Sequence, residues 1–133
     1  MSKLLALSLV ATAGVSTFAM GQAQTLAEQH TAKAADRAVE VIALLYACQP
    51  VMQTGLWRMY RLNLTLSMAR FVGPDKAKLQ IEHGLNTFKA QGQKRFDGPD
   101  PTGAYLDTCN QDIDERLELL DLEVARVAVA VKP

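Results

Sequence analysis

The chain has two cysteines, and where they fall constrains its fold more than any other feature. Cys48 closes the uncharged run VIALLYAC, and Cys109 stands far downstream in YLDTCNQDIDERLELL. They are too far apart for a redox CxxC pair, and neither sits in a haem-attachment pattern. In an oxidising compartment the default for such a pair is one structural disulfide. Closing a loop of about sixty residues contributes ~4 kcal/mol in the chain-entropy treatment of the unfolded state. The bridge also fixes topology, because the elements carrying Cys48 and Cys109 must bring those ends together.

The N-terminus supplies the compartment. MSKLLALSLVATAGVSTFAMGQAQ opens with one cation, Lys3, continues through an apolar stretch from Leu4 to Val15, and ends in small residues. That is the layout of a secretory signal. Gly21 and Ala23 occupy the positions a signal peptidase inspects, which predicts cleavage after Ala23, with cleavage after Gly21 the near alternative. An uncleaved anchor is the other reading, but Leu4 to Met20 falls short of the ~20 apolar residues a span requires and carries four hydroxyl side chains. No cysteine adjoins the cut, so a lipid-modified terminus is excluded. Residues 1–23 therefore read as a signal peptide and 24–133 as a single helical domain of a periplasmic or secreted protein.

Without Lys3 the chain keeps thirteen basic residues against fourteen acidic ones, a balance that points away from nucleic acid. Past the signal, no apolar run is long enough for stable membrane insertion.

Four helices are predicted. Thr25 and Glu28 have the spacing of a capping box, and Ala34, Ala38, Val41, Leu45 and Cys48 then recur at steps of four and three until Pro50. Ile113, Leu117, Leu120, Val124, Val127 and Val131 make a similar seam at the C-terminal end, where Thr108 and Gln111 also have capping-box spacing. Pro74 suits a first helical position, and Ala77, Ile81, Leu85 and Phe88 follow as a stripe. The string GQKRFDGPDPTG, residues 92–103, has loop composition.

The segment RLNLTLSMARF is ambiguous. Leu62, Leu64, Leu66 and Met68 alternate with polar residues as in a strand, yet Trp57, Tyr60, Leu64, Met68 and Phe71 fall at helical spacing. A strand here has no partner segment before the C-terminal tail, and a lone strand leaves its backbone unpaired. The helix is therefore the expectation, with Met59, Leu62, Leu66 and Ala69 forming a second apolar stripe for a neighbouring helix or a separate protein. Helices over 25–48, 52–72, 74–91 and 106–130 with short links predict an up-down-up-down four-helix bundle. In that topology the end of the first helix and the start of the fourth share one pole, as a Cys48–Cys109 bridge requires.

Catalytic chemistry is poorly provided for. His30 and His83 are the only histidines, and no HExxH, GxSxG, phosphate loop or paired-carboxylate motif occurs. No metal site, cofactor or catalytic residue is assigned. Met59, Met68 and His83 are conceivable haem ligands in a bundle, but methionines at helical spacing serve more often as core filling. Trp57 is expected to anchor the core while Arg58 and Arg61 reach solvent or an acidic neighbour. Charge is unevenly spread, since the last helix is rich in Asp and Glu while the second and third lean basic. Attraction within the bundle and steering of a partner both account for that polarity.

VIALLYAC running into the first cysteine, the Trp57–Arg58 pair, and Cys109 opening the last helix resemble a family of small exported alphaproteobacterial proteins with two well-separated cysteines and no characterised function. The resemblance implies an envelope location and a disulfide, and no activity. This chain departs from it in the longer, proline-rich approach to the second cysteine, LNTFKAQGQKRFDGPDPTGAYLDTC.

The functional expectation is a non-enzymatic protein that binds another envelope protein as an accessory subunit, inhibitor or holdase. Its contact residues are expected to be Arg58, Met59, Arg61, Leu62 and Leu66 on the second helix, with Arg95 and Phe96 in the loop. The alternative is a carrier of haem or another small ligand in the bundle interior.

Overall fold

The computed structural model describes residues 25–97 and 99–131, so the predicted signal peptide, residues 1–23, lies outside the described residues. Helix α1 spans Leu26–Cys48 and passes through a 3₁₀ turn, Gln49–Val51, into α2, Thr54–Val72. Helix α3 covers Pro74–Ala90 and α4 covers Ala104–Ala130. Among the described residues there is no strand, and no helix is long and apolar enough to cross a membrane.

The starts of α1, α3 and α4 have identifiable causes. At α1 the predicted capping box forms: Glu28 N–H donates to Thr25 Oγ1 at 3.1 Å, and Thr25 N–H donates to Glu28 Oε1 at 2.9 Å. Between α2 and α3 the chain reverses at Gly73 alone, whose φ of +89° is a conformation that side chains disfavour. Gly73 N–H closes the last turn of α2 on Ala69 O, its carbonyl accepts from Ala77 N–H, and Pro74 opens α3 where its missing N–H costs nothing.

The start of α4 differs from expectation. It begins at Ala104, so Thr108 lies inside the helix rather than capping it. The free amides of the first turn are taken by Asp100, whose carboxylate accepts from Tyr105 N–H at 3.2 Å and Leu106 N–H at 3.1 Å. A carboxylate there also suits the positive end of the helix dipole.

The helices alternate in direction. Three links run down the α1–α4 interface, with α4 numbers falling as α1 numbers rise: His30 to Glu123, Glu40 to Arg116, and the Cys48–Cys109 disulfide, whose Cα atoms are 5.9 Å apart. Along α2 and α4 the partners rise together, Tyr60 with Asn110 and Ser67 with Asp121, so these helices are parallel. Tyr46 and Phe88 stack at 6.4 Å, and Ile42 lies against Gly84, which makes α1 and α3 parallel too.

The order around the bundle is α1, α4, α2, α3, so α3 and α4 lie on opposite sides while α1 and α2 touch across the short diagonal. Trp57 makes that diagonal contact: its indole N–H donates to Leu45 O at 2.8 Å, and Gln49 N–H donates to the same carbonyl. Gly84 permits the α1–α3 contact. A Cβ there would sit 2.9 Å from Ile42 Cγ2, so a larger residue would push the helices apart.

The core follows the predicted stripes. Leu45, Leu64, Ile81, Ile113 and Leu120 are fully buried, and no residue of VIALLYAC is exposed. The ambiguity of RLNLTLSMARF resolves as helix, with Leu64 and Met68 buried and Leu62 and Leu66 facing out. The C-terminal seam is core only as far as Val124, because Val131 is exposed.

Candidate functional site

The two histidines are placed differently, and neither heads a reactive constellation. His30 Nδ1 lies 3.1 Å from Glu123 Oε1, joining the start of α1 to the end of α4. Glu123 is a buried carboxylate that also accepts from Arg126 at 3.3 Å. Burial by itself pushes its carboxyl up, but hydrogen bonds from His30 and Arg126 and the charges of Arg126 and Lys33 outweigh it and hold the group below its ordinary value. In sequence Glu123 is one of the many acidic residues of the last helix; His30 is 93 residues away along the chain, too distant to leave a local signal. His83 is exposed on α3 beside Thr87. Among the described residues no cluster of His, Cys, Asp and Glu could hold a metal ion.

Met68 and His83 line a common groove of about 680 Å³ between α1 and α3, with Ala38, Val39, Ile42 and Leu79. Met59 is on the outward face of α2 and has no part in it. The groove is open to the side of the bundle, whereas the interior between the helices is filled by the core cluster.

The residues expected to meet a partner separate into two surfaces. On α2, Met59, Leu62 and Leu66 are 47%, 56% and 58% exposed and form an unbroken apolar ribbon on the helix face turned away from Trp57, Tyr60 and Leu64. Arg58 is exposed beside the ribbon. Arg61 is half-buried, and its guanidinium carbon lies over the Trp57 ring at 5.6 Å, where the cation meets the face of the π-system.

The second surface is the loop between α3 and α4, and here the expected contacts take another role. Phe96 N–H donates to Ala47 O at 2.9 Å, and its ring packs against the core and against Tyr105 at 5.3 Å. Arg95 lays its guanidinium over Tyr46 at 4.8 Å and donates to Gln49 Oε1 at 3.4 Å. Both residues pin the loop to the last turn of α1. What they leave outward is Lys94, Asp97 and Tyr105, which with Ala47 line a shallow depression of about 540 Å³. Lys94 and Arg95 have no salt bridge among the described residues. Sequence composition marked this segment as a loop without indicating that Arg95 and Phe96 anchor it.

Helix-to-helix links in bundles usually run about two to eight residues, and longer irregular ones are uncommon and commonly functional. The link here covers residues 91–103. Among its described residues, Phe96 is tied to the last turn of α1 and Asp100 caps the start of α4.

The chain matches no protein-family model, no curated protein and no solved structure.

Proposed function

We propose that the protein works in the cell envelope, in the periplasm or outside the cell, as a non-enzymatic binding protein whose partner docks on the platform formed by residues 94–97 and Tyr105. The observation that carries this reading is the anchored loop: Phe96 and Arg95 tie it to the last turn of α1, with Tyr105 43% exposed near Lys94, which has no salt bridge among the described residues. Tyr and Arg are the side chains that most often dominate protein interfaces. Lys94 and Arg95 favour a partner segment carrying carboxylates. The signal-like N-terminus, the disulfide and the resemblance to small exported two-cysteine proteins support the envelope location.

Photo-crosslinking in intact cells tests it. A crosslinker at position 94, 97 or 105 is expected to capture the same envelope protein, and Tyr105→Glu is expected to abolish capture from position 94 while leaving the helical spectrum unchanged. Absence of a discrete adduct from all three positions overturns the reading.

A carrier function is the second reading, favoured by the α1–α3 groove and its apolar walls. It places a small apolar ligand on the flank of the bundle rather than in its interior. A haem absorption band, or a lipid extracted from the natively purified protein and lost in Ala38→Phe, supports it; colourless, lipid-free protein rejects it.

A further inference from the structure

The α2 ribbon is a separate surface from the loop platform, and its surroundings specify an occupant. Because α3 and α4 lie on opposite sides of α2, the ribbon has two different flanks. On the α4 side Leu66 shares a shallow cleft with the exposed carboxylates Asp114, Glu118 and Asp121 and with Arg70 of its own helix, three negative charges against one positive. On the α3 side are the exposed cations Lys78 and Lys89, with Asp75 and Glu82 on the same helix. Among the described residues, no salt bridge joins the basic residues of α2 or α3 to the acidic residues of α4, and the link of Asp121 to α2 is a hydrogen bond from the uncharged Ser67.

We propose that the ribbon is covered by a second copy of this chain, related by a two-fold axis parallel to α2. The choice of axis follows from the flanks. A two-fold axis across α2 would set the carboxylates of one α4 against those of the other. An axis along α2 exchanges the flanks, so that each acidic α4 faces a basic α3, and the two ribbons meet at the centre.

The heights of the charges agree. In the hairpin through Gly73, Lys78 is level with Met68, and neighbouring Ser67 hydrogen-bonds Asp121 on the other side of α2. An axis along α2 preserves height, so Lys78 of one copy meets Glu118 and Asp121 of the other. The area suffices as well. Helix α2 has 19 residues and is about 28 Å long. With parts of two flanking helices at the usual spacing of 8–10 Å, the face covers roughly 550 Å² per copy, above the ~1,000 Å² total of a specific interface. Both loop platforms then point the same way from one end of the dimer, which allows two-point attachment to a partner.

Light scattering on the mature, oxidised chain over a concentration series tests the arrangement. The expected result is a dimer that becomes a monomer in Leu62→Glu and Leu66→Glu, each with an unchanged helical spectrum. If either unfolds, Leu62→Asn replaces it. Glu118→Lys is expected to weaken the dimer about tenfold or more, and adding Lys78→Glu to restore it. A monomer at millimolar concentration, or a dimer indifferent to the ribbon variants, overturns the proposal. Tightening of the dimer by Glu118→Lys overturns the parallel arrangement. Crosslinking from position 94 reports on the loop platform independently of any of these results.

Discussion

Trp57 joins α2 to the last turn of α1 by donating its indole N–H to Leu45 O, a carbonyl that already accepts from Gln49 N–H. Because Leu45 O keeps that second donor, Trp57→Phe removes a hydrogen bond without orphaning the acceptor. The cost is therefore the net worth of one buried bond plus some lost volume, about 2 kcal/mol in total. Urea unfolding is expected to show a lower midpoint at an unchanged slope.

Replacing both cysteines by alanine tests how much of the stability is topological. The bonded residues are 61 apart, and removing the bridge is expected to cost about 4 kcal/mol. For a domain of this size that lowers the melting temperature by roughly 15 °C or more. The α1–α4 seam remains, so helical content at low temperature is expected to survive; circular dichroism with and without reductant checks both points.

Gly84→Ala sets two effects against each other. Alanine improves helix propensity by up to about 1 kcal/mol, while its Cβ meets Ile42 Cγ2 at 2.9 Å and Cδ1 at 3.3 Å. Ile42 is buried and cannot swing away freely, so overpacking of about 1–3 kcal/mol is expected to win. In Ile42→Ala the clash disappears, and the two substitutions together are expected to cost clearly less than the sum of their separate effects in a double-mutant cycle.

Glu123 predicts acid sensitivity. Its folded-state carboxyl titrates below the ordinary 4.5, so its contribution to stability is complete above that value and is lost as pH falls through the lower, folded-state one. Glu123→Gln is expected to be less stable than the parent at neutral pH, with the margin shrinking as pH falls below 4.5. Denaturation midpoints across that range measure it.

Repetition along the chain made much of the fold legible. The Thr25–Glu28 box and the stripes through Val41, Leu64, Ile81 and Leu120 define four helices, and the cysteine positions require the outer two to share a pole. Contacts without a local spacing were not legible. Asp100 caps α4 across a turn, outside any short motif, and Thr108 offered the right letters at the wrong place. The close approach of α1 to α3 uses Gly84, whose lack of a side chain reads in sequence only as a weakened helix. Of the expected contact residues, Met59, Leu62 and Leu66 are exposed because none of the described residues covers that stripe, while Phe96 is drawn inward by the core edge beside Ala47.

Cys48 and Cys109 are both wholly inaccessible to solvent, with the loop strapped over the end of α1 next to them. A thiolate must approach a sulfur in line with the bond it displaces, so no oxidoreductase can reach this one while the strap is closed. The bridge must therefore form before the chain has finished folding. Thereafter its lifetime against glutathione-like reductants is set by how often the molecule opens, not by the reducing power around it.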